Sequence, residues 1–423
     1  MCRIRCVALA APILFGLALL HTSCQDRDAP PGNTPGGSPG ATRDSGLAEL
    51  DIERIRSIPY LSWQAVEPAD RPASGITLYE PGSTAPGLNF FNIDGEPTAQ
   101  LMDMRGRVLH TWSVPGEGWH HAEPGDRGTL FAIVQDEMLL KLDWDSRLLW
   151  SCPGRFHHDI GFDPHGNLIA LERVERNVLF HGLTVPILDE HVVTLSPSGE
   201  RQESLSLWDL LGDQVADTTL AAIGRFLHSR PHDKTIATYD SLGVLCDVFH
   251  ANSIEYVQQD IQGVCRAGDF LISIRQLNRI AFIDPAQRQV RWQWGAGTLW
   301  RQHHPSLLEN GHILLFDNRN RRESSRVVEV DPRNGGIVWT YWPRARGDFF
   351  SRLRGSCQRL GNQNTLITVS DKGRVIEVTP TGEIVWEFWN ELDPGGRLRR
   401  AIYRMSRIEP GNNVLPLGWS AGR

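Results

Sequence analysis

Histidines recur along this chain at positions that could build one catalytic or binding centre. His158, His250 and His303 each stand at the start of a predicted strand of the same type, and His120 or His121 occupies the matching place in an earlier copy. A cluster of neutral imidazoles can ligate a transition metal. It can also bind and transfer an anionic group, with one imidazole acting as the nucleophile. Both kinds of chemistry require distant parts of the chain to meet.

The neighbours of these histidines favour an anion over a metal. Asn252 lies two residues after His250 and should share its strand face, because strand side chains repeat every two residues. Arg275 ends the following strand, in the segment LISIRQLN. A guanidinium beside a bound cation is costly, whereas its planar fork suits a tetrahedral oxyanion. The acidic neighbour is Asp159, directly after His158. We therefore interpret the cluster as an anion site that uses no metal and no cofactor.

An internal repeat supplies the elements that must position these residues. The repeated unit consists of apolar residues, an aspartate or a substitute, a short turn, more apolar residues and a tryptophan. It recurs at 101–112, 139–150, 280–292, 327–339 and 375–386, with a weaker copy at 192–207. Each copy predicts two strands around a tight turn. Trp292, Trp339 and Trp386 follow one another at intervals of 47 residues. Repeats of this length are typical of four-stranded β-propeller blades.

The number of repeats predicts an all-β fold, a six-bladed β-propeller over residues 75–423. A second element precedes the copies and consists of a polar residue, a strand, a turn and another strand. It occurs at 120–133, 157–172, 250–275, 303–318 and 355–370, and a sixth occurrence at 403–418 has no copy of the repeat after it. Joining 403–418 to the unpartnered half at 89–112 would complete a sixth blade and hide the sheet edges. Innermost strands line one central channel, so the histidines that begin them should meet at one mouth.

Three stretches do not fit the repeat. Residues 176–191 predict a hairpin extension, and residues 208–240 predict a short helical segment within a long loop of the kind that is usually functional. Residues 47–74 precede the propeller as an N-terminal extension, with a small helix expected within 47–63.

The first 24 residues are expected to form an export signal. Arg3 and Arg5 precede an apolar run that is too short for a comfortable membrane span. The run ends at Cys24 after small residues, as in a bacterial lipoprotein signal, in which that cysteine is lipidated; an ordinary cleaved signal is the alternative. Residues 25–46 form a flexible tether rich in Pro, Gly, Ser and Asp. We expect a lipoprotein on the periplasmic side of the cell envelope, and the non-acidic Gln25 favours the outer membrane.

Charge and cysteine usage bear on other classes of site. The formal net charge is -7 and only three of the 43 basic residues are lysine, so a nucleic-acid partner is not expected. No CxxC motif occurs, which argues against a zinc knuckle. Cys246 and Cys265 are close enough in sequence to pair across neighbouring strands in an oxidising compartment. The alternative is that these two, Cys152 and Cys357 are all unpaired.

Several motifs in a fixed order resemble the arylsulfotransferase family, the kind that takes aryl sulfates as donors. The resemblance covers residues 75–418 and rests on GITLYEPGSTAPGLNFFN, LMDMRGRVLHTW, FHHDI, DVFHANSIEYV, LISIRQ, RQHHPSLLENGHILLFDN and GRVIEVTPTGEIVWEFW. Members are exported bacterial six-bladed propellers that move a sulfuryl group from one phenol to another without a nucleotide donor. The resemblance implies aryl sulfates and phenols as substrates, no cofactor, and membrane contact only through the lipid anchor.

The resemblance also implies a role for each matching residue. His303, the first histidine of the QHH motif, would be the nucleophile that becomes sulfated in a ping-pong reaction. His250 and Asn252, from the HxN motif, would hold the sulfuryl oxygens. Arg275 and His158 would complete the catalytic set.

Some assignments stay open at the level of the sequence. His157 and His304 would replace their neighbours after a shift of one residue, which exchanges the two faces of a strand. Trp294, Trp300 and Phe316 would either face an aromatic substrate or pack between blades. The sequence defines neither the donor and acceptor nor the oligomeric state.

Three other functions are compatible with a propeller of this kind. The first is an exported propeller that binds a partner or a glycan without catalysis, since a fold does not fix a function. The second is a metal-dependent enzyme in which the histidines hold iron or manganese. The third is a quinone-cofactor dehydrogenase, whose repeat is similar but which usually has eight blades and a pair of adjacent cysteines that this chain lacks.

Overall fold

The computed structural model describes residues 63–70, 72–116, 118–229, 246–319, 322–342, 348–417 and 419. The predicted signal peptide, the tether and residues 47–62 of the predicted N-terminal helix lie outside the described residues. Residue 63 begins a strand. No helix in the described ranges is long and apolar enough to cross a membrane.

Six antiparallel sheets form the blades of a propeller, as predicted. The N-terminal strands are β1 (Trp63–Ala65), β2 (Gly75–Tyr79), β3 (Leu88–Ile93), β4 (Thr98–Met102) and β5 (Val108–Ser113). Blade one contains β6 (His121–Pro124), β7 (Leu130–Val134), β8 (Met138–Leu142) and β9 (Leu148–Pro153). Blade two contains β10 (Phe156–Phe162), β11 (Leu168–Phe180), β12 (Leu183–Leu195) and β13 (Arg201–Ser206).

The remaining blades follow in chain order. Blade three contains β14 (Ala251–Tyr256), β15 (Phe270–Ile274), β16 (Arg279–Asp284) and β17 (Gln289–Trp294). Blade four contains β18 (His303–Leu307), β19 (Ile313–Asp317), β20 (Arg326–Asp331) and β21 (Gly336–Tyr341). Blade five contains β22 (Ser356–Arg359), β23 (Thr365–Val369), β24 (Arg374–Val378) and β25 (Ile384–Trp389), followed by β26 (Leu398–Arg400) and β27 (Ile402–Ile408).

The sixth blade joins the two ends of the described chain. Its strand order is β27, β3, β4 and β5, so the C-terminal strand is the innermost one, as predicted. The register pairs Leu88 with Ile408 and Ile93 with Ile402. Two further pairings reinforce this junction: β2 adds to the outer edge of blade five beside β25, and β1 pairs with β26.

The tryptophans of the repeat fasten each blade to the next one. Buried apolar side chains fill the spaces between neighbouring blades around the whole ring. In three blades the indole Nε1 donates a hydrogen bond to a carbonyl of the neighbouring blade: Trp150 to Pro197 (3.0 Å), Trp339 to Pro380 (2.8 Å) and Trp386 to Met104 (3.0 Å). An indole combines a large apolar surface with one donor, which suits a position at a blade edge.

The predicted insertions lie in blade two and after it. Strands β11 and β12 continue past the blade as a paired hairpin that covers residues 176–191. The predicted helical stretch contains α1 (Leu207–Leu211) and α2 (Asp217–Ser229), while residues 230–245 lie outside the described part. The side chain of Ser206 caps α1 by accepting a hydrogen bond from the amide of Asp209.

All four cysteines of the propeller are buried and unpaired. The structure therefore supports the prediction that all four cysteines are unpaired. Cys246 and Cys265 do not form the disulfide that their spacing allowed. Burial raises the pKa of both thiols to about 11, so they remain protonated at neutral pH.

Candidate functional site

β-Bulges occur in the innermost strands where the predicted site residues lie. The register shifts within β10, β14, β18 and β27, near the beginning of each strand. Beside three of these shifts His158, His250 and His304 adopt left-handed φ angles of 62°, 48° and 48°. A bulge inserts an extra residue and re-aims the side chains around it. The bulges therefore help to decide which of two adjacent side chains joins the centre.

Consecutive blades bring four histidines together at the mouth where the innermost strands begin. The ring centroids of His120 and His158 lie 5.0 Å apart, and those of His158 and His250 lie 4.8 Å apart. Arg275 follows β15, and its positive charge contributes to lowering the pKa of both His250 and His303. All four histidines are at most 5% exposed. We call these five residues the histidine cluster.

The imidazole of His303 is held in one tautomer. Its Nδ1 lies 2.7 Å from Oδ1 of Asn318 and 3.0 Å from the carbonyl oxygen of Arg301. The amide nitrogen of Asn318 donates to the carbonyls of Ser351 and Arg354 at 2.8 Å each, so its oxygen must face the ring. Because both neighbours of Nδ1 are acceptors, Nδ1 carries the hydrogen and Nε2 carries the lone pair.

That lone pair is buried and available. Nε2 of His303 has no hydrogen-bond partner among the described residues. Burial, reinforced by the charge of Arg275, holds the pKa of His303 well below its ordinary value. The ring is therefore neutral at physiological pH and presents a nucleophilic nitrogen.

Arg275 offers a charged donor at the same place. Its side chain is 9% exposed, and its Nε has no hydrogen-bond partner within the described ranges. A buried guanidinium with an unused donor can bind an anion. An anion held there would lie next to His303, on whose pKa the charge of Arg275 acts.

Asn252 serves first to position the strand that carries His303. Its amide nitrogen donates to the backbone carbonyl of Gln302 at 2.9 Å, and its Oδ1 is buried without a partner in the described part of the chain. Gln302 in turn donates from its side chain to the carbonyl of Arg279 at 2.7 Å. Both contacts tie the start of blade four to blade three. The predicted contact of Asn252 with a sulfuryl oxygen stays a prediction.

His250 is supported by a carboxylate. Its Nδ1 hydrogen-bonds to Oδ2 of Asp247, and Oδ1 of the same carboxylate accepts from the backbone amide of His250 at 3.0 Å. Arg173 lies 3.5 Å from the same carboxylate. Burial opposes ionisation, but the charges of His250 and Arg173 prevail and lower the pKa of Asp247 to about 2. Because Asp247 stays ionised, its carboxylate can stabilise His250 when that ring takes up a proton next to a bound anion.

His158 is oriented through its neighbour His157. Nδ1 of His157 lies 2.7 Å from Nδ1 of His158, and Nε2 of His157 lies 2.6 Å from Oε2 of Glu190. Burial and the nearby Asp247 raise the pKa of Glu190 well above its ordinary value, which favours a neutral acid that donates to His157. His157 then donates to His158, and His158 keeps its hydrogen on Nε2. His158 is thereby a donor, in contrast to His303.

The alternative histidines serve other contacts. His157 is fully buried behind His158 and pairs with Glu190. His304 uses Nδ1 to contact the carbonyl of Cys357 at 3.0 Å, and it lines a cavity of about 470 Å³ farther along the channel. The geometry thus groups His303 with Arg275, and it groups His158 with His120 and His250.

The wall of that cavity carries a different set of charges. Arg404 donates to Asp159 at 2.9 Å and lies 3.8 Å from Glu123. Burial, opposed in part by Arg404, raises the pKa of Glu123 to about 7, and burial raises the pKa of Glu255 to about 8. We call Glu123, Asp159, Glu255, His304 and Arg404 the carboxylate cluster.

Several supporting residues were not predicted from the sequence. Asn318, Asp247, Glu190 and Asp94 each orient a histidine of the centre or its neighbour. Only Asp247 had a local signal, because it lies three residues before His250 in DVFH. The other three come from different strands or different blades.

The three aromatic residues considered for substrate contact lie in different surroundings. Phe316 is fully buried in the core between blades four and five and packs on Phe349 with ring centroids 5.6 Å apart. Of the two alternatives for Phe316, the structure therefore supports packing between blades. Trp294 packs at the edge of the core between blades three and four. Trp300 precedes the QHH segment and is partly buried.

The donor set does not resemble a metal centre. In the ranges that the structure describes, no group of three or more His, Cys, Asp or Glu side chains has the geometry to hold a metal ion. A guanidinium beside two of the histidines suits an anion instead.

Several solved structures are similar to this chain at low sequence identity. A protein of unknown function from Bacteroides caccae has a TM-score of 0.49 and 12% identity over 76% of this chain and 98% of its own. A virginiamycin B lyase from Staphylococcus aureus, a catalytically inactive variant with quinupristin, has a TM-score of 0.43 and 8% identity over 77% of this chain and 88% of its own. Apo AztD from Citrobacter koseri has a TM-score of 0.40 and 11% identity over 76% of this chain and 98% of its own.

Sequence comparison identifies the family. No curated protein matches the chain. The family model described as arylsulfotransferase (ASST) matches residues 154–391, which cover blades two to five and therefore His158, His250, Asn252, Arg275 and His303. With more than half of its length in that match, the chain belongs to the arylsulfotransferase (ASST) family.

Proposed function

We propose that this protein transfers a sulfuryl group from an aryl sulfate to a phenol through a covalent intermediate on His303. One observation carries the proposal. His303 presents a buried Nε2 without a partner, its tautomer is fixed by Asn318, and the guanidinium of Arg275 lies beside it. The family supports this class of reaction and these classes of substrate.

In the first half-reaction the aryl sulfate binds with its charged end at Arg275. The lone pair on Nε2 of His303 attacks sulfur, the S–O bond to the ring breaks, and a phenolate leaves. Negative charge grows on the leaving phenol oxygen, and the sulfuryl oxygens stay anionic. Arg275 and the Nε2–H of His158 donate to the sulfuryl oxygens. Burial lowers the pKa of His250, so this ring becomes a donor only after it takes up a proton against the carboxylate of Asp247. Preorganised donors of this kind are effective because they need no reorganisation in a buried site.

In the second half-reaction a phenol takes the sulfuryl group from His303. The intermediate is an imidazolium sulfonate, because Nδ1 keeps its hydrogen bond to Asn318 while Nε2 carries sulfur. The partner of Nδ1 is a neutral amide and not a carboxylate, so the positive charge on the ring is not neutralised. Nitrogen that carries a positive charge is a good leaving group, which keeps the intermediate reactive toward an acceptor.

A burst experiment tests this function directly. Purified protein without added metal or nucleotide is mixed with 4-nitrophenyl sulfate alone. We expect one equivalent of nitrophenolate in a rapid phase and one sulfuryl group on the peptide that contains His303, followed by turnover when a second phenol is added. Absence of both the burst and the transfer, together with stoichiometric iron or manganese in the purified protein, would replace this function with the metal-dependent one.

The location of the protein is part of the same proposal. We infer that Cys24 is lipidated and tethers the propeller to the periplasmic side of the outer membrane, although Cys24 lies outside the described residues. The C24S variant should lose label from a fatty-acid analogue and move to the soluble fraction. Equal labelling and equal solubility of the two forms would contradict the lipid anchor.

A further inference from the structure

A second imidazole of the channel presents a buried lone pair. Nε2 of His120 has no hydrogen-bond partner among the described residues, and the ring is 5% exposed. On the other side of the ring, Nδ1 lies 3.5 Å from Oδ1 of Asp94. Oδ2 of Asp94 is held by Arg354 at 2.8 Å. An imidazole that is backed by a carboxylate and open at Nε2 has the arrangement of a general base.

The charges around His120 keep it ready to accept a proton. Despite burial, Arg354 and His120 lower the pKa of Asp94, so this carboxylate stays ionised. Burial lowers the pKa of His120, Asp94 opposes this, and Arg354 and Arg173 contribute to the lowering. The resting ring is therefore neutral. The carboxylate of Asp94 can stabilise the imidazolium that forms after proton transfer.

The ring order of the propeller places His120 opposite the nucleophile. The amide of His120 donates to Ile133 of blade one, and His303 begins the innermost strand of blade four. Six blades close the ring, so blades one and four face each other across the channel. Displacement at sulfur proceeds in line, with the attacking and the leaving atom on opposite sides. A phenol oxygen that attacks sulfur on His303 thus approaches from the side of His120.

The other groups at the mouth are less suited to take this proton. With Glu190 as the neutral acid that its raised pKa favours, the contacts through His157 keep the hydrogen of His158 on Nε2, so His158 donates rather than accepts. His250 lies on blade three beside Arg275, where the sulfuryl oxygens are held. Tyr403, whose ring centroid lies 4.7 Å from that of His120, has a pKa raised by burial and remains a neutral phenol.

We propose that His120 is the base that takes the proton from the acceptor phenol while its oxygen attacks the sulfuryl group on His303. The step forms the new O–S bond and breaks the bond between sulfur and Nε2 of His303. The phenol proton moves to Nε2 of His120, and it is later released to solvent or to the next leaving phenolate. The inference rests on the proposed function and adds a catalytic residue to it.

The dependence of transfer on the pKa of the acceptor tests this role. Sulfated protein is prepared with 4-nitrophenyl sulfate and mixed with phenols that range from unactivated to fully ionised at the assay pH. In H120Q we expect transfer to an unactivated phenol to fall by on the order of a hundredfold to ten-thousandfold. Transfer to an ionised phenol, which has no proton to lose, should stay within about threefold. The initial burst of nitrophenolate should persist, since that leaving group needs no proton.

Matched variants separate a catalytic effect from a structural one. H165Q changes an exposed histidine in a turn and should transfer to all acceptors like the parent protein. D94N leaves the ring in place and should show the same acceptor pattern as H120Q with a smaller loss, which keeps the test valid if H120Q does not fold.

The outcomes distinguish the inference from the function on which it rests. A parent protein without a burst would remove the proposed function. A parent protein with a burst, combined with an H120Q or D94N protein that treats all acceptors like the parent, would overturn the role of His120 alone. A uniform loss for all acceptors would also overturn it, because that result indicates a role in shape and not in proton transfer.

Discussion

The two polar clusters of the channel use adjacent residues of the same strands for opposite purposes. His158 and His303 belong to the histidine cluster, whereas the residues that follow them, Asp159 and His304, belong to the carboxylate cluster. The histidine cluster leaves donors and lone pairs unused. In the carboxylate cluster Asp159 is satisfied by Arg404 and by the amides of Ile160 and Ile254. Polar groups in the channel are therefore not equivalent: His303 leaves a buried lone pair unused, whereas the carboxylate of Asp159 is satisfied by three donors.

The largest difference between the clusters should appear when their histidines are exchanged for alanine. H303A should lose turnover by on the order of a thousandfold or more, because the nucleophile is gone. H304A removes a contact to a backbone carbonyl and should stay within about tenfold of the parent protein. Initial rates with 4-nitrophenyl sulfate and a second phenol measure both. A larger loss in H304A than in H303A would reverse the assignment of the nucleophile.

The two arginines should differ in what they stabilise. R275A should keep its melting temperature and lose on the order of a hundredfold in turnover, because a donor to the sulfuryl oxygens is removed. R404A leaves Asp159 and Glu123 without their cation and should lose about 3 kcal/mol of folding stability. Kinetics and thermal unfolding on the same preparations separate these effects. Equal losses of stability would mean that both arginines are structural.

The orientation of the nucleophile provides a more moderate effect. N318L keeps a branched side chain but removes the nearer of the two acceptors of Nδ1, so the tautomer of His303 is held only by the carbonyl of Arg301. We expect the rate of the initial burst to fall by at least about tenfold. Asn310, in an exposed turn, supplies the control variant N310A. An unchanged burst rate in N318L would show that the contact with Asn318 does not direct the ring.

The smallest effect concerns the pH dependence of stability. The pKa of Glu255 is raised to about 8 in the folded protein, above its value of 4.5 in an unfolded chain. Its contribution is therefore fully present below pH 4.5 and is lost as pH rises toward 8, because the unfolded state ionises first. E255Q cannot ionise and should gain about 2 kcal/mol relative to the parent protein between pH 5 and 8. Parallel unfolding curves of the two proteins at all pH values would contradict the shifted pKa.

The repeat carried most of the information about the fold. The tryptophan period and the alternation of apolar residues predicted the blades, and the two unpartnered halves at 89–112 and 403–418 predicted the closing pair. These features were readable because a strand pair and its turn are local in sequence. Residues 1–62, including Cys24, lie outside the described part, so the predicted signal peptide and tether stay predictions.

The sequence predicted only part of the site, because the residues that orient its histidines are distant from them in sequence. Equivalent blade positions predicted that His158, His250 and His303 would converge, since the fold repeats. The partners that fix their tautomers come from elsewhere, as Asn318 does for His303 and Glu190 does for His157. The bulges also depend on pairing between strands, so no simple alternation along β10 or β18 could have predicted them.

The closing blade has a consequence for how the chain matures. Three N-terminal strands pair with strands beyond residue 383: β1 with β26, β2 with β25, and β3, on its edge away from β4, with β27. Such pairings join residues more than 300 positions apart, and long-range pairing is slow because the entropy of loop closure precedes the gain from contact. During synthesis β1, β2 and one edge of β3 must therefore wait unpaired for the last strands. The edge of β3 is an aggregation risk over that interval, and a holdase that shields it would increase the yield of closed rings.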